Sequence, residues 1–408
     1  MKRPLVFGFL LLFAQLQAAA PPPPIIPEQG RSALSSFFQG AVVRSDVPGV
    51  VALVVNSDGL LYHEAFGKLN VARGIDMLRD AIFRIASMTK PLTSVAILML
   101  AEEGMLGLDD PVSTYVPALT TRAVISRVDP TDASYQTRPA SRPITIRHLL
   151  THTSGIGYAW SDPRLALLQK KTGLGETELP LLHDPGQKWT YGASTRVLGE
   201  VIEKVAGQPL DRFLRARIFA PLGMNDTFYV VPRQKSDRVA TVHQRAGGRL
   251  TEQPNPPELP ATIRGDGGLY STAGDYSLFL QMLLNRGQVG KVRLLTERSV
   301  REMTQNQIGS LVVDEQPAAD SARAKPYPLG AGMDKWGLAF QIAAPRSPNP
   351  NMRSAGSYSW AGINNTHFWV DPNRQIGVIL LMQVLPFYDE GCIEVLRGFE
   401  ELVYRHLT

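Results

Sequence analysis

The spacing of apolar positions predicts β-strands near both ends of the chain. In "GVVALVVNSDGLLYHEAFG", two β-rich runs flank the turn Asn56-Ser57-Asp58-Gly59, which is typical of a hairpin. Near the other end, four short apolar runs separated by turn residues each predict a strand: "WGLAFQI", "SYSWAGI", "THFWVDP" and "IGVILLMQ". Strands so far apart in sequence favour one sheet assembled from both ends of the chain.

The chain between these segments has the spacing of helices. An apolar pattern at residues 87–103 predicts a long helix, and residues from about 104 to 310 contain helical segments broken by proline and glycine. "STRVLGEVIEKVAG" and "AGDYSLFLQMLLNRG" run into glycines that stop helices, and "EVLRGFEELVYRHL" predicts a closing helix. We therefore predict an α/β protein of the α+β type, with one sheet built from N- and C-terminal segments and an inserted, mainly helical region. The active site should lie where these parts meet.

The N-terminal segment has the pattern of an export signal. A basic start and a short apolar stretch lead to small residues at 18–20, which predicts a signal peptide over residues 1–20. "PPPPIIPEQG" predicts an extended spacer at 21–30, and the folded domain is expected at 31–408. The alternative is an N-terminal membrane anchor. We expect a secreted or periplasmic protein with no stable membrane insertion after signal removal, and the cleavage point stays open.

Composition narrows the possible partners. The 408 residues are 44% hydrophobic and 19% charged, which is typical of a globular protein and excludes a disordered chain. The net charge is +5, but basic residues are not interleaved with aromatics, so no nucleic-acid partner is expected. Cys392 is the only cysteine, which excludes an intrachain disulfide and a cysteine-rich metal site. We expect no metal and no cofactor, and the oligomeric state stays open.

The stretch "RIASMTKPLTSVAILML" places a serine three residues before a lysine. If a helix starts at about Ser87, Lys90 lies one turn further along the same face. Pro91 fits only in a first turn, where its missing N–H is no loss. A buried lysine at a positive helix start has a lowered pKa and can take the serine proton. The alternative is that Ser87 simply caps the helix, which is the usual role of such a serine.

A tyrosine with suitable chemistry occurs in "PGQKWTYGASTRVLGEVIE". Tyr191 lies in a loop before a helix that can begin near Ser194, so its phenol can face a cleft. A tyrosine near cations can carry a phenolate or relay a proton to a leaving group. The alternative is a packed aromatic ring with a satisfied hydroxyl.

Five ordered segments resemble the successive motifs of the serine β-lactamase-related superfamily. The likeness runs from about residue 36 to 405 and is strongest to the class C-like esterases and transesterases. It implies a β-lactamase/transpeptidase-like fold, in which the sheet from the N- and C-terminal segments is antiparallel and flanked by helices. The segments are "RIASMTKPLTSVAILMLAEEGMLGLDDPVSTYVP", "ITIRHLLTHTSGI", "PGQKWTYGASTRVLGEVIE", "IFAPLGMNDTFY" and "GDGGLYSTAGDYSLFLQMLLN".

This resemblance implies roles for individual residues. Ser87 would be the acylated nucleophile, Lys90 its base, and Tyr191 the residue that serves the leaving group and the deacylating water. The third family element lies on an edge strand, and "WAGI" at 360–363 resembles its esterase form. The backbone N–H groups of Ser87 and Ile363 would then form the oxyanion hole.

Two departures from the penicillin-handling relatives bear on the substrate. Ala193 stands where those relatives have asparagine, and Trp360 stands where they have lysine. Ser194 could replace part of the lost hydrogen bonding, although it cannot supply a cation. With Ala361 and Gly362, these residues are the predicted substrate contacts.

Two further features have structural explanations. The "LLTHTSG" segment resembles a structural element of the family, so His152 is not predicted to act directly. "RGDGG" at 264–268 could be a binding loop, but we predict that its glycines let the backbone turn beside the cleft.

These observations predict a serine hydrolase that forms a covalent acyl-enzyme, most closely a carboxylesterase acting on small esters. A class C-like β-lactamase and a D-Ala-D-Ala peptidase or amide hydrolase are the enzyme alternatives. A non-catalytic cell-wall-binding protein is the alternative from another class. The trio Ser87, Lys90 and Tyr191 argues against it, because a binding protein has no need of these three side chains together.

Overall fold

A computed structural model describes residues 23–259, 261–346, 349 and 351–408. The predicted signal peptide at 1–20 lies outside the described residues. The first helix begins at Glu28, and Ile26 is buried with 2% exposure. Packing therefore begins before residue 31, the predicted start of the folded domain.

Ten α-helices are found among the described residues. They are α1 Glu28–Val43, α2 Thr89–Glu102, α3 Ile146–Leu150, α4 Pro163–Thr172, α5 Ser194–Ala206, α6 Leu210–Leu214, α7 Ala220–Leu222, α8 Ala273–Leu284, α9 Glu297–Met303 and α10 Glu390–His406. A π-helical turn, Arg215–Phe219, joins α6 to α7. Short 3₁₀ helices occur at Ala86–Met88, Val112–Thr114, Pro117–Leu119 and Arg233–Arg238.

Seventeen strands, many of them two residues long, are found in the same part of the chain. They are β1 Gly49–Asn56, β2 Leu60–Asn70, β3 Ile75–Asp76, β4 Phe83–Arg84, β5 Ala123–Val128, β6 Tyr135–Pro139, β7 Val242–Ala246, β8 Arg249–Gln253, β9 Tyr270–Ser271, β10 Gln288–Val289, β11 Val292–Arg293, β12 Lys335–Trp336, β13 Gln341–Ile342, β14 Tyr358–Gly362, β15 Thr366–Asp371, β16 Ile376–Leu381 and β17 Val384–Leu385.

The central sheet joins the two ends of the chain. Its eight strands lie in the order β12-β13-β14-β15-β16-β1-β2-β3, and neighbouring strands are antiparallel. The seam between the two ends is β1 against β16, with Val51 opposite Leu381. The predicted antiparallel sheet built from N- and C-terminal segments is thus confirmed.

Strand β1 shows why the sheet is covered on both faces. All eight residues of "GVVALVVN" are buried, which is the pattern of a strand with packing on each side. Val50, Ala52 and Val54 belong to the same apolar cluster as residues of α1 and α10. Val51 belongs to the cluster that also contains residues of α2 and α8. Fully burying a valine contributes about 1.5 kcal/mol or more, so this strand anchors both layers.

The part between the sheet-forming ends contains most of the helices, together with small sheets. β5 pairs with β6, β10 with β11, and β7 lies between β8 and β17. Helix α2 is buried on every side, from Thr89 to Leu100. A helix that is apolar all round belongs in a core, and this one fixes the residues at its N-terminal end. None of the helices that the structure describes has the length and apolar character needed to cross a bilayer.

Candidate active site

Ser87 lies in a tight turn directly before α2. The sequence predicts a helix from about Ser87, whereas residues 86–88 form a 3₁₀ turn and the α-helix begins at Thr89. The preceding Ala86 has a φ of 44°, in the left-handed region that alanine rarely adopts. Such a conformation costs about 1 kcal/mol or more and persists only where the surroundings impose it. The turn leaves Ser87 half-buried at the cleft surface.

Lys90 is buried beneath this serine with 2% exposure. Its Nζ donates to the Ser87 Oγ at 3.1 Å, to the Tyr158 Oη at 3.1 Å and to the Asp266 backbone oxygen at 2.8 Å. Burial lowers the pKa of Lys90 to about 7, although the Asp266 carboxylate opposes this shift. Near neutral pH, a large fraction of Lys90 is therefore an uncharged amine. In that form its two N–H groups can donate to Tyr158 and Asp266, and its lone pair can accept the proton of the Ser87 hydroxyl.

Tyr158 and Asp266 hold the lysine from the other side. The Tyr158 hydroxyl donates to the Asp266 Oδ2 at 2.7 Å, so its oxygen is left to accept from Lys90. Burial opposes ionisation of Asp266, but Lys90, Arg196 and Arg264 together keep the pKa of this carboxyl below its ordinary value. The carboxylate is thus charged, and it fixes the direction in which the Tyr158 hydroxyl points.

Tyr191 lies in the loop before α5, and its ring lies next to Lys90, whose Nζ is 4.8 Å from the ring centroid. The Trp360 Nε1 donates to the Tyr191 hydroxyl at 3.1 Å, and Ser87 is its second hydrogen-bond partner. Burial raises the pKa of Tyr191 well above its ordinary value, despite both hydrogen bonds. The group is therefore a neutral phenol. Because its oxygen accepts from the indole, its own proton is free to point toward Ser87.

The strand carrying "WAGI" passes close to the serine turn. A Cβ on Gly362 would lie 2.4 Å from the Ile85 backbone oxygen, so only glycine allows this approach. The sheet has two further strands beyond β14, but β13 pairs only with Tyr358 and Ser359. Residues 360–362 of β14 therefore pair only with β15, so this end of the strand is an edge although the whole strand is not. Within the described chain, the backbone N–H groups of Ser87 and Ile363 donate to no carbonyl and are free for a ligand.

A cleft of about 350 Å³ opens over these groups. Its lining includes Ser87, Tyr191, Trp360, Ala361 and Ile363. The structure thus brings together five predicted site residues that lie up to 276 positions apart in sequence. Lys90 does not line the cleft itself, but its amine contacts Ser87, which does.

Three predicted substrate contacts are placed elsewhere. Ala193 and Ser194 are fully buried and do not line the cleft, which corrects their predicted role. The Ser194 hydroxyl is hydrogen-bonded to the Ser154 hydroxyl at 2.8 Å, so it is not available to a ligand. Gly362 is also buried, and its contribution is the close approach of the strand. His152, with 1% exposure, packs against Tyr191 at 4.9 Å between ring centroids, as the structural interpretation predicts.

The sequence interpretation missed two polar side chains of the site. Tyr158 follows the "THTSGI" motif directly, and this position after a recognised motif was the available signal. Asp266 lies within "RGDGG", which was interpreted as a turn. Its glycines do shape the backbone, since Gly268 has a φ of 103° and a Cβ there would meet the Thr262 oxygen at 1.9 Å. Among the described residues, no cluster of three or more His, Cys, Asp or Glu side chains could hold a metal ion.

Known proteins are similar to this chain over most of its length. Residues 34–397 match the sequence model of the Beta-lactamase family. The chain is 29% identical to monacolin J acid methylbutanoyltransferase from Aspergillus terreus, over 95% of this chain and 98% of that protein. It is 28% identical to lovastatin esterase from Penicillium rubens, over 91% of this chain and 98% of that protein.

A solved structure shows the same fold. The LovD6 mutant of simvastatin synthase from Aspergillus terreus superposes with a TM-score of 0.80 at 27% sequence identity. The match covers 93% of this chain and 95% of the other chain. The sheet and the helices therefore follow the architecture of that synthase.

Proposed function

Because the chain belongs to the beta-lactamase family, we propose that it is a carboxylesterase that cleaves small esters through a covalent acyl-enzyme on Ser87. The observation that carries this proposal is that Ser87 has both a lysine amine and a neutral phenol as hydrogen-bond partners. The family has the fold of serine hydrolases and acyltransferases, and its relatives include esterases.

Acylation begins with a proton transfer to Lys90. The uncharged amine takes the proton of the Ser87 hydroxyl while the oxygen attacks the ester carbonyl carbon. The carbonyl oxygen becomes an oxyanion that the N–H groups of Ser87 and Ile363 can receive. Each such donor contributes about 3 to 4 kcal/mol to transition-state stabilisation. The ammonium formed on Lys90 lies beside the Asp266 carbonyl oxygen and the Tyr158 hydroxyl, which stabilise it.

Departure of the alcohol requires a proton, and Tyr191 is placed to give it. Its phenol proton passes to the alcohol oxygen as the ester bond breaks, and the phenolate is stabilised by the Trp360 N–H. The proton held by Lys90 then returns to Tyr191. In deacylation a water molecule attacks the Ser87 ester, the same two groups exchange its proton, and the acid is released.

The cleft wall formed by Trp360 favours an ester substrate over a β-lactam. A β-lactam carries a carboxylate, and the relatives that bind one place lysine where Trp360 stands. Here an indole with 6% exposure forms that wall and packs against Trp336 at 4.7 Å between ring centroids. Replacing a charge-assisted contact of about 1.5 to 3 kcal/mol by an apolar wall lowers affinity by roughly one to two orders of magnitude.

A comparison of two chromogenic substrates tests this proposal. We expect a clear kcat/KM for short-chain p-nitrophenyl esters and at most weak opening of a chromogenic cephalosporin. The Ser87→Ala variant serves as the blank for both substrates, since it removes the nucleophile without changing the walls of the cleft. A higher kcat/KM for the cephalosporin would replace the esterase proposal with the β-lactamase alternative.

The pH dependence of ester cleavage reports on Lys90. Because burial lowers its pKa to about 7, the amine is protonated and inactive as a base below that pH. We expect kcat/KM to rise about tenfold per pH unit below pH 7 and to level off above it. Measuring kcat/KM from pH 5 to 9 with a neutral ester checks the sign. A profile that falls as the pH rises through 7 would exclude an uncharged lysine as the base.

Acyl transfer is a second candidate outcome of the same acyl-enzyme. The relative named monacolin J acid methylbutanoyltransferase supports it, because the matched region spans nearly the whole of both proteins. The chemistry differs only in whether water or an alcohol attacks the Ser87 ester. Chromatography of products formed with added alcohols separates the two, since hydrolysis yields the free acid and transfer yields a new ester.

A further inference from the structure

Arg323 stands out among the charged residues that line the cleft. Its guanidinium lies over the Trp160 ring at 5.7 Å from the centroid, a cation–π arrangement. Within the described residues, its side chain forms no ion pair and no hydrogen bond. The side chain is exposed toward the cleft, so its five N–H donors are available to a ligand.

The other two arginines of the cleft are already neutralised. Arg196 pairs with Glu176 at 2.7 Å and with Asp266 at 3.1 Å, and Arg264 pairs with Asp266 at 3.3 Å. These carboxylates are the only acidic groups that line the cleft in the described chain. The cleft therefore carries excess positive charge, and the unpaired part of it is at Arg323.

The segment that carries Arg323 is fixed to the cleft wall. The Phe387 N–H donates to the Arg323 backbone oxygen at 2.9 Å, and the Lys325 N–H donates to the Phe387 oxygen at 2.9 Å. On the other side, the Asp320 N–H donates to the Trp160 oxygen at 3.1 Å. A guanidinium held by its backbone and by ring stacking loses little freedom when it binds a planar anion.

An apolar surface lies between this cation and the serine. Trp160 stacks on Tyr158 with 5.3 Å between ring centroids, and Tyr158 contacts Lys90. Tyr327 stacks on Trp160 at 5.8 Å and meets Tyr191 edge-on at 5.9 Å. A substrate with its ester at Ser87 can thus lay an apolar body along these rings and place its far end at Arg323.

From this arrangement we propose that the cleft selects esters that carry a carboxylate, and that Arg323 binds this carboxylate through paired N–H donors. The inference rests on the proposed esterase function. It concerns a different part of the cleft lining from Trp360, the position where the β-lactam-binding relatives have lysine. The carboxylate belongs to either the acyl half or the alcohol half of the ester, and both share this recognition chemistry.

Two matched substrate pairs test the proposal on the full chain. The first pair is 4-nitrophenyl hydrogen adipate and its methyl ester, with the charge in the acyl half. The second pair is 4-acetoxybenzoate and its methyl ester, with the charge in the alcohol half. For the parent we expect the acidic member of one pair to have the higher kcat/KM, and added salt to reduce that preference.

Variants of two neighbouring cations then locate the effect. In Arg323→Gln the ratio of acidic to neutral kcat/KM should fall about tenfold for the preferred pair, as expected for the loss of a charge-assisted contact. Arg323→Lys should retain part of the preference. Lys325→Gln removes one positive charge from the same segment, but Lys325 does not line the cleft. The ratio of acidic to neutral kcat/KM in this variant should therefore equal that of the parent.

The outcomes separate this inference from the function on which it rests. If neutral esters are cleaved at Ser87 but the ratio is the same in Arg323→Gln and the parent for both pairs, the carboxylate site is refuted and the esterase stands. If the ratio of acidic to neutral kcat/KM falls equally in Lys325→Gln, the carboxylate site is also refuted, because the preference then comes from the overall positive charge and not from a contact with Arg323. If no ester is cleaved and Ser87 takes up no acyl group, the proposed function itself fails.

Discussion

Replacing Ser87 by alanine is expected to abolish acylation and to lower kcat for ester cleavage by about six orders of magnitude. The loss is this large because the bond to the acyl group can form nowhere else. The fold should be unaffected, since the serine side chain is half-buried and Lys90 keeps the Tyr158 hydroxyl and the Asp266 oxygen as acceptors. Intact-protein mass spectrometry after brief exposure to an ester or a fluorophosphonate should show one adduct on the parent and none on Ser87→Ala.

The matched control is Ser32→Ala, which removes an exposed serine hydroxyl from α1. This variant should be labelled by the fluorophosphonate and should cleave the ester at the same rate as the parent. Peptide mapping of the labelled parent locates the adduct. If it lies on another serine, the assignment of the nucleophile is wrong even though the protein is a serine hydrolase.

Loss of either proton-transferring group is expected to have the second largest effect. Lys90→Met keeps the volume of the buried side chain but removes the base, and Tyr191→Phe removes only the phenol oxygen. Each change should lower kcat by about a hundredfold or more, which is the usual range for a general acid or base. The double variant should lose less than the product of the two factors, because both groups act on one proton route.

Two measurements keep this result interpretable. Thermal unfolding shows whether Tyr191→Phe, which leaves the Trp360 N–H without its acceptor, has destabilised the fold. The pH profile shows whether the rise near pH 7 disappears in Lys90→Met, as it should if the lysine is its cause. Near-normal turnover in Tyr191→Phe would remove the tyrosine from the mechanism and leave Tyr158 as the phenol nearest the lysine.

Local pattern accounts for the parts of the site that could be predicted from sequence. Ser87 and Lys90 are three residues apart on one turn, and helical periodicity alone makes them neighbours. The "GVVALVVN" run predicted a strand, and its continuous burial follows from apolar residues at every position. The sheet from both chain ends was predictable because strand-like runs occur at both ends with helical spacing between them, whereas its antiparallel order is implied only by the family resemblance.

The remaining parts depend on contacts that periodicity does not encode. Tyr158 meets Asp266 across 108 positions, and whether a loop aspartate turns inward depends on the cations that surround it. Ser194 is predicted to replace part of the hydrogen bonding that Ala193 cannot supply. Its hydroxyl points instead to Ser154, since the start of α5 packs into the core. The 3₁₀ turn at Ser87 likewise goes with the left-handed backbone at Ala86. Alanine rarely adopts this conformation, so the sequence does not predict the turn.

The indole of Trp360 has two functions at once, and this constrains how the protein could change its substrate. It forms the wall of the cleft, and its N–H holds the phenol of Tyr191 in place. A mutation to lysine would supply an ammonium group for β-lactams, but it would also release Tyr191 and leave a gap beside Trp336. The first mutational step from one activity toward the other therefore weakens proton delivery for both. Keeping full activity after this change would require another donor to take over the hydrogen bond to Tyr191.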